Sequence, residues 1–174
     1  MNLFRRSDFL PSGLNKYRVL FVCTANVCRS PMAEGILKKQ MEEQGAQLVS
    51  VSSAGTSAVE GLPVNFMALS IATLNDINLM GHRSRPASRK LMERNDLIVA
   101  MAREHLDSLR EKFPKYQDKI VLLKNYGREQ PPEEADIMDP IGADGDVFRV
   151  IFSDIETEVK RIAPLIIASS MDKF

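Results

Sequence analysis

The sequence predicts an α/β fold, a parallel sheet with helices on both faces. Two observations predict it. Short apolar, β-rich runs alternate with stretches whose apolar residues recur every three or four positions. That alternation is the signature of βαβ units. The chain also closes on a long amphipathic pattern.

Taken in order, "RVLFVC" (18–23) reads as a buried strand. Ser30-Pro31 resembles a helix cap with proline at the first helical position. Ala33, Ile36, Leu37 and Met41 then share one helical face, and Gly45 supplies a stop. "QLVSVSSAGT" (47–56) is a second strand, and "LPVNFMALSIATLNDI" a helix whose pattern fails near Asn75. "GHRSRPAS" (81–88) reads as a loop. "DLIVAMA" (96–102) is a third strand, followed by a helix over 103–112, and "KIVLL" (119–123) is a fourth strand. Residues 127–146 form a polar loop rich in Pro, Gly and acid. Phe148, Ile151, Ile155, Val159, Ile162 and Ile166 mark the last helix, which Pro164 is expected to kink or end. The first sixteen residues read as an N-terminal extension, and 17–174 as a single domain.

Lys plus Arg balances Asp plus Glu at 23 each in 174 residues. Composition therefore argues against nucleic acid or an anionic membrane as partner. No apolar run is long enough to span a bilayer, and the N-terminus lacks the apolar core of a secretory signal. With only two cysteines, a cytoplasmic location is expected.

Both cysteines, Cys23 and Cys28, lie in one loop after the first strand, in "VLFVCTANVCRSPMAEG". In open parallel sheets, ligands bind outside the carboxyl ends of the strands, so position alone makes this the leading site. A Cys23–Cys28 disulfide would close a very small loop and stabilise little. A structural zinc needs four ligands, and the chain adds only the distant His82 and His105, so no metal is expected. A reactive thiolate fits its neighbours. The helix N-terminus ahead favours an anion, and Arg29 adds a cation whose fork suits phosphate oxygens. Small residues, Thr24 and Ala25, let backbone N–H groups curl inward around a tetrahedral dianion. The plain alternative is a buried, inert cysteine at a strand end, since a bare Cys-x5-Arg arises readily by chance.

The whole stretch resembles the signature of the low-molecular-weight protein tyrosine phosphatases. "SSAGTSA", "GHRSR", "DLIVAMAREHL" and "MDPIG" follow in that family's order. The resemblance implies a three-layer α/β/α domain with a four-stranded parallel sheet and a phosphate-binding loop of Cys23, Thr24, Ala25, Asn26, Val27, Cys28, Arg29 and Ser30. It implies that Cys23 is the nucleophile, that Arg29 grips the phosphoryl oxygens, and that Asp139 is the general acid. It gives Ser30 the task of steadying the thiolate, and Asn26, Ser53 and His82 that of holding the loop in shape. Cys28 matches a second cysteine that pairs reversibly with the nucleophile under oxidation. Taken singly, Asp139-Pro140 is an ordinary turn starter, and Ser53 and His82 ordinary polar residues.

The implied reaction hydrolyses a phosphorylated protein through a phosphocysteine, releases inorganic phosphate and needs no cofactor. Where tyrosine-directed members carry rim aromatics, this chain has Val59 and Ile141-Gly142. "DPIG" and "SSAGTSAVEG" look more like bacterial members, some of which hydrolyse phosphoarginine and carry threonine where Val27 stands. Valine, with no hydroxyl, favours the aryl phosphate, with phosphoarginine as the alternative. Arsenate reductases share the loop but need cysteines downstream, and none follows Cys28. A non-catalytic phospho-ligand module would keep Arg29 yet need neither Cys23 nor Asp139.

Overall fold

Four strands, β1 (Tyr17–Cys23), β2 (Val49–Gly55), β3 (Leu97–Ala100) and β4 (Ile120–Leu122), form one parallel sheet in the order β2-β1-β3-β4. The structure is a computed structural model and describes residues 16–173. The expected N-terminal extension thus lies, apart from Lys16, outside the described residues.

Among the described residues five helices cover the sheet: α1 (Arg29–Glu43), α2 (Phe66–Leu74), α3 (Arg89–Arg94), α4 (Arg103–Lys112) and α5 (Gly145–Asp172). The two-residue period of β1 sorts its side chains between two cores. Val19, Phe21 and Cys23 pack with α1, α2 and α5. Leu20 and Val22 pack with Met92 of α3, Leu109 of α4 and Phe113. A strand buried on both faces is apolar throughout, which is why "VLFVC" shows no alternation. The result is the expected three-layer α/β/α arrangement.

Strands β2 and β3 flank β1 on opposite sides, so connections leave the carboxyl end of the sheet in opposite directions at β1 and β3. That divergence opens the crevice in which such folds bind ligands.

Ser30 does not cap α1; the N-cap is Cys28, with Arg29 and Ser30 already helical and Pro31 one residue further in. The proline costs no hydrogen bond because first-turn N–H groups have no helical partner, and the serine hydroxyl is free for another task. Gly45, with φ 64°, ends α1 as expected. Its N–H bonds Glu42 O, and that of Ala46 bonds Met41 O at 2.8 Å, a Schellman closure. Asn65 caps α2. Helix α3, capped by Ser88, was not expected, nor was the 3₁₀ segment Pro114–Lys119.

Pro164 does not end the last helix, which runs 28 residues. Pro164 and Lys160 are both exposed, so the carbonyl deprived of its partner lies on the solvent side. Within α5, the buried Glu158 carboxylate pairs with Arg128 and Arg161. Arg161 also donates to the carbonyls of Leu123 and Tyr126. These contacts fix the chain leaving β4, and with it the start of the loop that carries Asp139.

Candidate active site

Cys23 ends β1 and is 3% exposed. The chain then turns through residues 24–28 into α1. The turn needs a left-handed residue, and Asn26 supplies it with φ 57°; asparagine tolerates that region better than most side chains. Ala25 is not in the left-handed region, so its methyl group carries no such strain. Gly55 of β2 lies against the turn, where an added Cβ would stand 2.3 Å from the carbonyl oxygen of Thr24. Only glycine lets β2 approach this closely.

The hydroxyl of Ser30 lies 2.9 Å from Cys23 Sγ. Asn26 spends both of its amide protons within the site, donating 2.9 Å bonds to the hydroxyls of Ser30 and Ser53. Its Oδ1 accepts from the backbone N–H of Arg85 at 3.0 Å. Ser53 in turn donates to the Glu34 carboxylate. His82 Nε2 donates to the carbonyl of Asn26 at 2.8 Å, and its Nδ1 faces Glu34 Oε2 at 4.0 Å. One polar chain therefore runs from the thiol through Ser30, Asn26 and Ser53 to a carboxylate. Buried and fully satisfied, such a network is rigid.

Arg29 is 3% exposed. Its Nη1 donates to the Ile137 carbonyl at 3.0 Å, while Nη2 donates to Asp139 Oδ2 at 2.8 Å and Thr24 Oγ1 at 3.3 Å. The carboxylate of Asp139 is 43% exposed, and its Oδ1 also accepts from Ile141 N–H at 3.1 Å. Asp139 is thus a turn starter and an ion-pair partner at once. The guanidinium and the carboxylate face each other above the floor that holds the thiol.

Burial pushes the Cys28 thiol up to about 12, with Cys23 and Asp139 adding to the rise and Arg29 opposing it. Cys28 therefore stays protonated near neutral pH. Both cysteines are free thiols. Among the described residues no cluster of His, Cys, Asp or Glu is arranged to hold a metal ion.

Cys23, the loop of residues 24–30, Ser53, His82 and Asp139 meet at this one place, from β1, α1, β2, the α2–α3 loop and the β4–α5 loop. Two others join them here. Glu34 stands four residues after Ser30, so the helical period alone puts it on the same face. His105, set aside as distant, lies one turn beyond β3 with Nε2 2.8 Å from Thr24 Oγ1. Its place beyond a strand's carboxyl end was the available signal.

Comparison with known proteins agrees with this geometry. Residues 18–172 match the family model of low molecular weight phosphotyrosine protein phosphatases. A protein-arginine-phosphatase of Bacillus subtilis is 34% identical over 145 residues, covering 83% of this chain and 93% of the relative. The low molecular weight protein-tyrosine-phosphatase Wzb of Escherichia coli K12 is 31% identical over 145 residues, 83% of this chain and 92% of its own. The solved structure of the YwlE arginine phosphatase from Geobacillus stearothermophilus superposes with a TM-score of 0.80 at 32% identity, covering 91% of this chain and 97% of that one. The chain belongs to the low molecular weight phosphotyrosine protein phosphatase family and is a cysteine-dependent protein phosphatase.

Proposed function

We propose that the enzyme hydrolyses phosphotyrosine-type phosphomonoesters of proteins through a phosphocysteine on Cys23. One observation carries the reading. A thiol beside a hydroxyl, a buried guanidinium and a carboxylate come together on one loop and the loop facing it. Cys23 attacks phosphorus, and the ester oxygen leaves with a proton from Asp139. Water, deprotonated by Asp139, then attacks the phosphocysteine and releases inorganic phosphate and the thiolate. Arg29 and backbone N–H groups of the loop stabilise charge on the equatorial oxygens. The working unit is residues 17–174, and free thiols suit a reducing cytoplasm.

The names of the Bacillus and Geobacillus relatives favour a second reading, that the substrate is phosphoarginine. Val27 weighs against it. The half-buried valine in the loop offers no acceptor to the N–H groups that a guanidino phosphate places beside phosphorus. Turnover of a phosphotyrosine peptide and a phosphoarginine peptide, measured in parallel on wild type and Val27→Thr, tests this. Wild type is expected to prefer phosphotyrosine, with the ratio of the two kcat/KM values moving toward phosphoarginine by about tenfold in the variant, the worth of one hydrogen bond. A wild type that prefers phosphoarginine overturns the first reading in favour of the second.

A further inference from the structure

His105 is 1% exposed, and its ring is not satisfied in the manner of an ordinary core histidine. Its Nδ1 has no partner among the described residues. Nε2 faces two oxygens, Thr24 Oγ1 at 2.8 Å and Glu104 Oε1 at 3.2 Å. A carboxylate can only accept, so Nε2 carries the proton, Nδ1 is bare, and the ring donates to Thr24. The hydroxyl oxygen of Thr24 has two lone pairs. His105 takes one, and Nη2 of Arg29 takes the other at 3.3 Å.

The guanidinium thus has three anchors: the Ile137 carbonyl, the Asp139 carboxylate and the Thr24 hydroxyl. Two of them stand on the β4–α5 loop. Among the described residues Thr24 alone ties the Arg29 guanidinium to the loop of the nucleophile, and Thr24 is itself held by a buried ring at the opposite lip of the crevice. Resting on the function proposed above, we infer that His105 is a positioning residue that acts through Thr24 to hold Arg29 where it grips the phosphoryl group. A cation in its place would repel Arg29. A neutral N–H donor does not, and burial together with the Arg29 charge holds the imidazole down at about 4, against the pull of Asp139 and Asp136.

The test uses the full chain with His105→Gln, His105→Asn, His105→Leu, Thr24→Val and the double variant His105→Leu/Thr24→Val. The readouts are kcat and KM for an aryl phosphate, competitive inhibition by inorganic phosphate, and the rate of Cys23 alkylation. A glutamine amide reaches the place of Nε2, whereas an asparagine amide reaches only that of Nδ1. His105→Leu, His105→Asn and Thr24→Val should each weaken phosphate inhibition and lower kcat/KM by about tenfold, with alkylation of Cys23 little changed. His105→Gln should recover most of the loss, and the double variant should be no worse than either single. Losses that multiply in the double variant, or equal activity in the Gln and Leu variants, would overturn the inference. If His105→Leu does not fold, Thr24→Val decides: normal phosphate inhibition there refutes the role. Turnover that survives Cys23→Ser would instead refute the phosphatase chemistry itself.

Discussion

Cys23 Sγ and Ser30 Oγ stand 2.9 Å apart, and Asn26 donates to the same hydroxyl, whose one proton has two acceptors in reach, the sulfur and the Ala54 carbonyl at 3.3 Å; a thiolate, which can only accept, draws that proton to itself. The relationship explains why Ser30 sits inside the first turn of α1 rather than at its cap. A hydrogen bond to a charged group contributes about 1.5–3 kcal/mol. Ser30→Ala should therefore slow both kcat and alkylation of Cys23 at neutral pH by about 10–100-fold, with the fold intact by circular dichroism. Alkylation at the wild-type rate would show that the hydroxyl does not support the thiolate.

Asp139 should matter in proportion to how badly the leaving group needs a proton. Asp139→Asn should cost about 10²–10⁴-fold with an alkyl phosphate and much less with an activated aryl phosphate. A uniform loss across leaving groups would assign Asp139 only its turn and its ion pair.

Cys28 should protect Cys23 against oxidation. Peroxide converts the Cys23 thiolate to a sulfenic acid, which the Cys28 thiolate attacks with loss of water to form a disulfide. Burial keeps that thiolate scarce, so the protected fraction should grow as pH rises. Wild type treated with mild peroxide should recover with a thiol reductant to an extent that rises with pH, and Cys28→Ser should recover less at each pH. Equal recovery in the two would remove Cys28 from this role.

The buried imidazole should also shape stability. Its proton affinity is lowered in the fold, to about 4 from an ordinary 6.5, so the unfolded chain binds the proton more readily. Stability from this group is present above pH 6.5 and is lost as pH falls through the window toward 4. The shift corresponds to up to about 3 kcal/mol. The difference in unfolding free energy between wild type and His105→Gln, followed by urea titration from pH 7 to pH 4, should change by that order in favour of the variant. A difference that stays constant with pH would contradict it.

These residues show how far the sequence could be read. The sheet was legible because a parallel strand buried on both faces leaves an unbroken apolar run, as in β1 and β3. The loop was legible because its chemistry is local: Cys23, Asn26, Arg29 and Ser30 lie within eight positions. Helix α3 was not, since six residues with only Leu91 and Met92 apolar give the helical period nothing to repeat. The helix does not end at Pro164 because the cost of a proline depends on whether the orphaned carbonyl meets solvent, which the sequence does not state. The contact of His105 was hidden for the opposite reason to Cys23: its partner Thr24 is 81 residues away, and only the sheet order brings β1 and β3 side by side.

The covalent intermediate tests the central claim most directly. Wild type mixed with a phosphotyrosine peptide and quenched within one turnover should carry one phosphoryl group, found on Cys23 by peptide mass spectrometry. Cys23→Ser should bind inorganic phosphate yet show no turnover. A phosphoryl group on any other residue, or hydrolysis that persists in purified Cys23→Ser, would contradict the account.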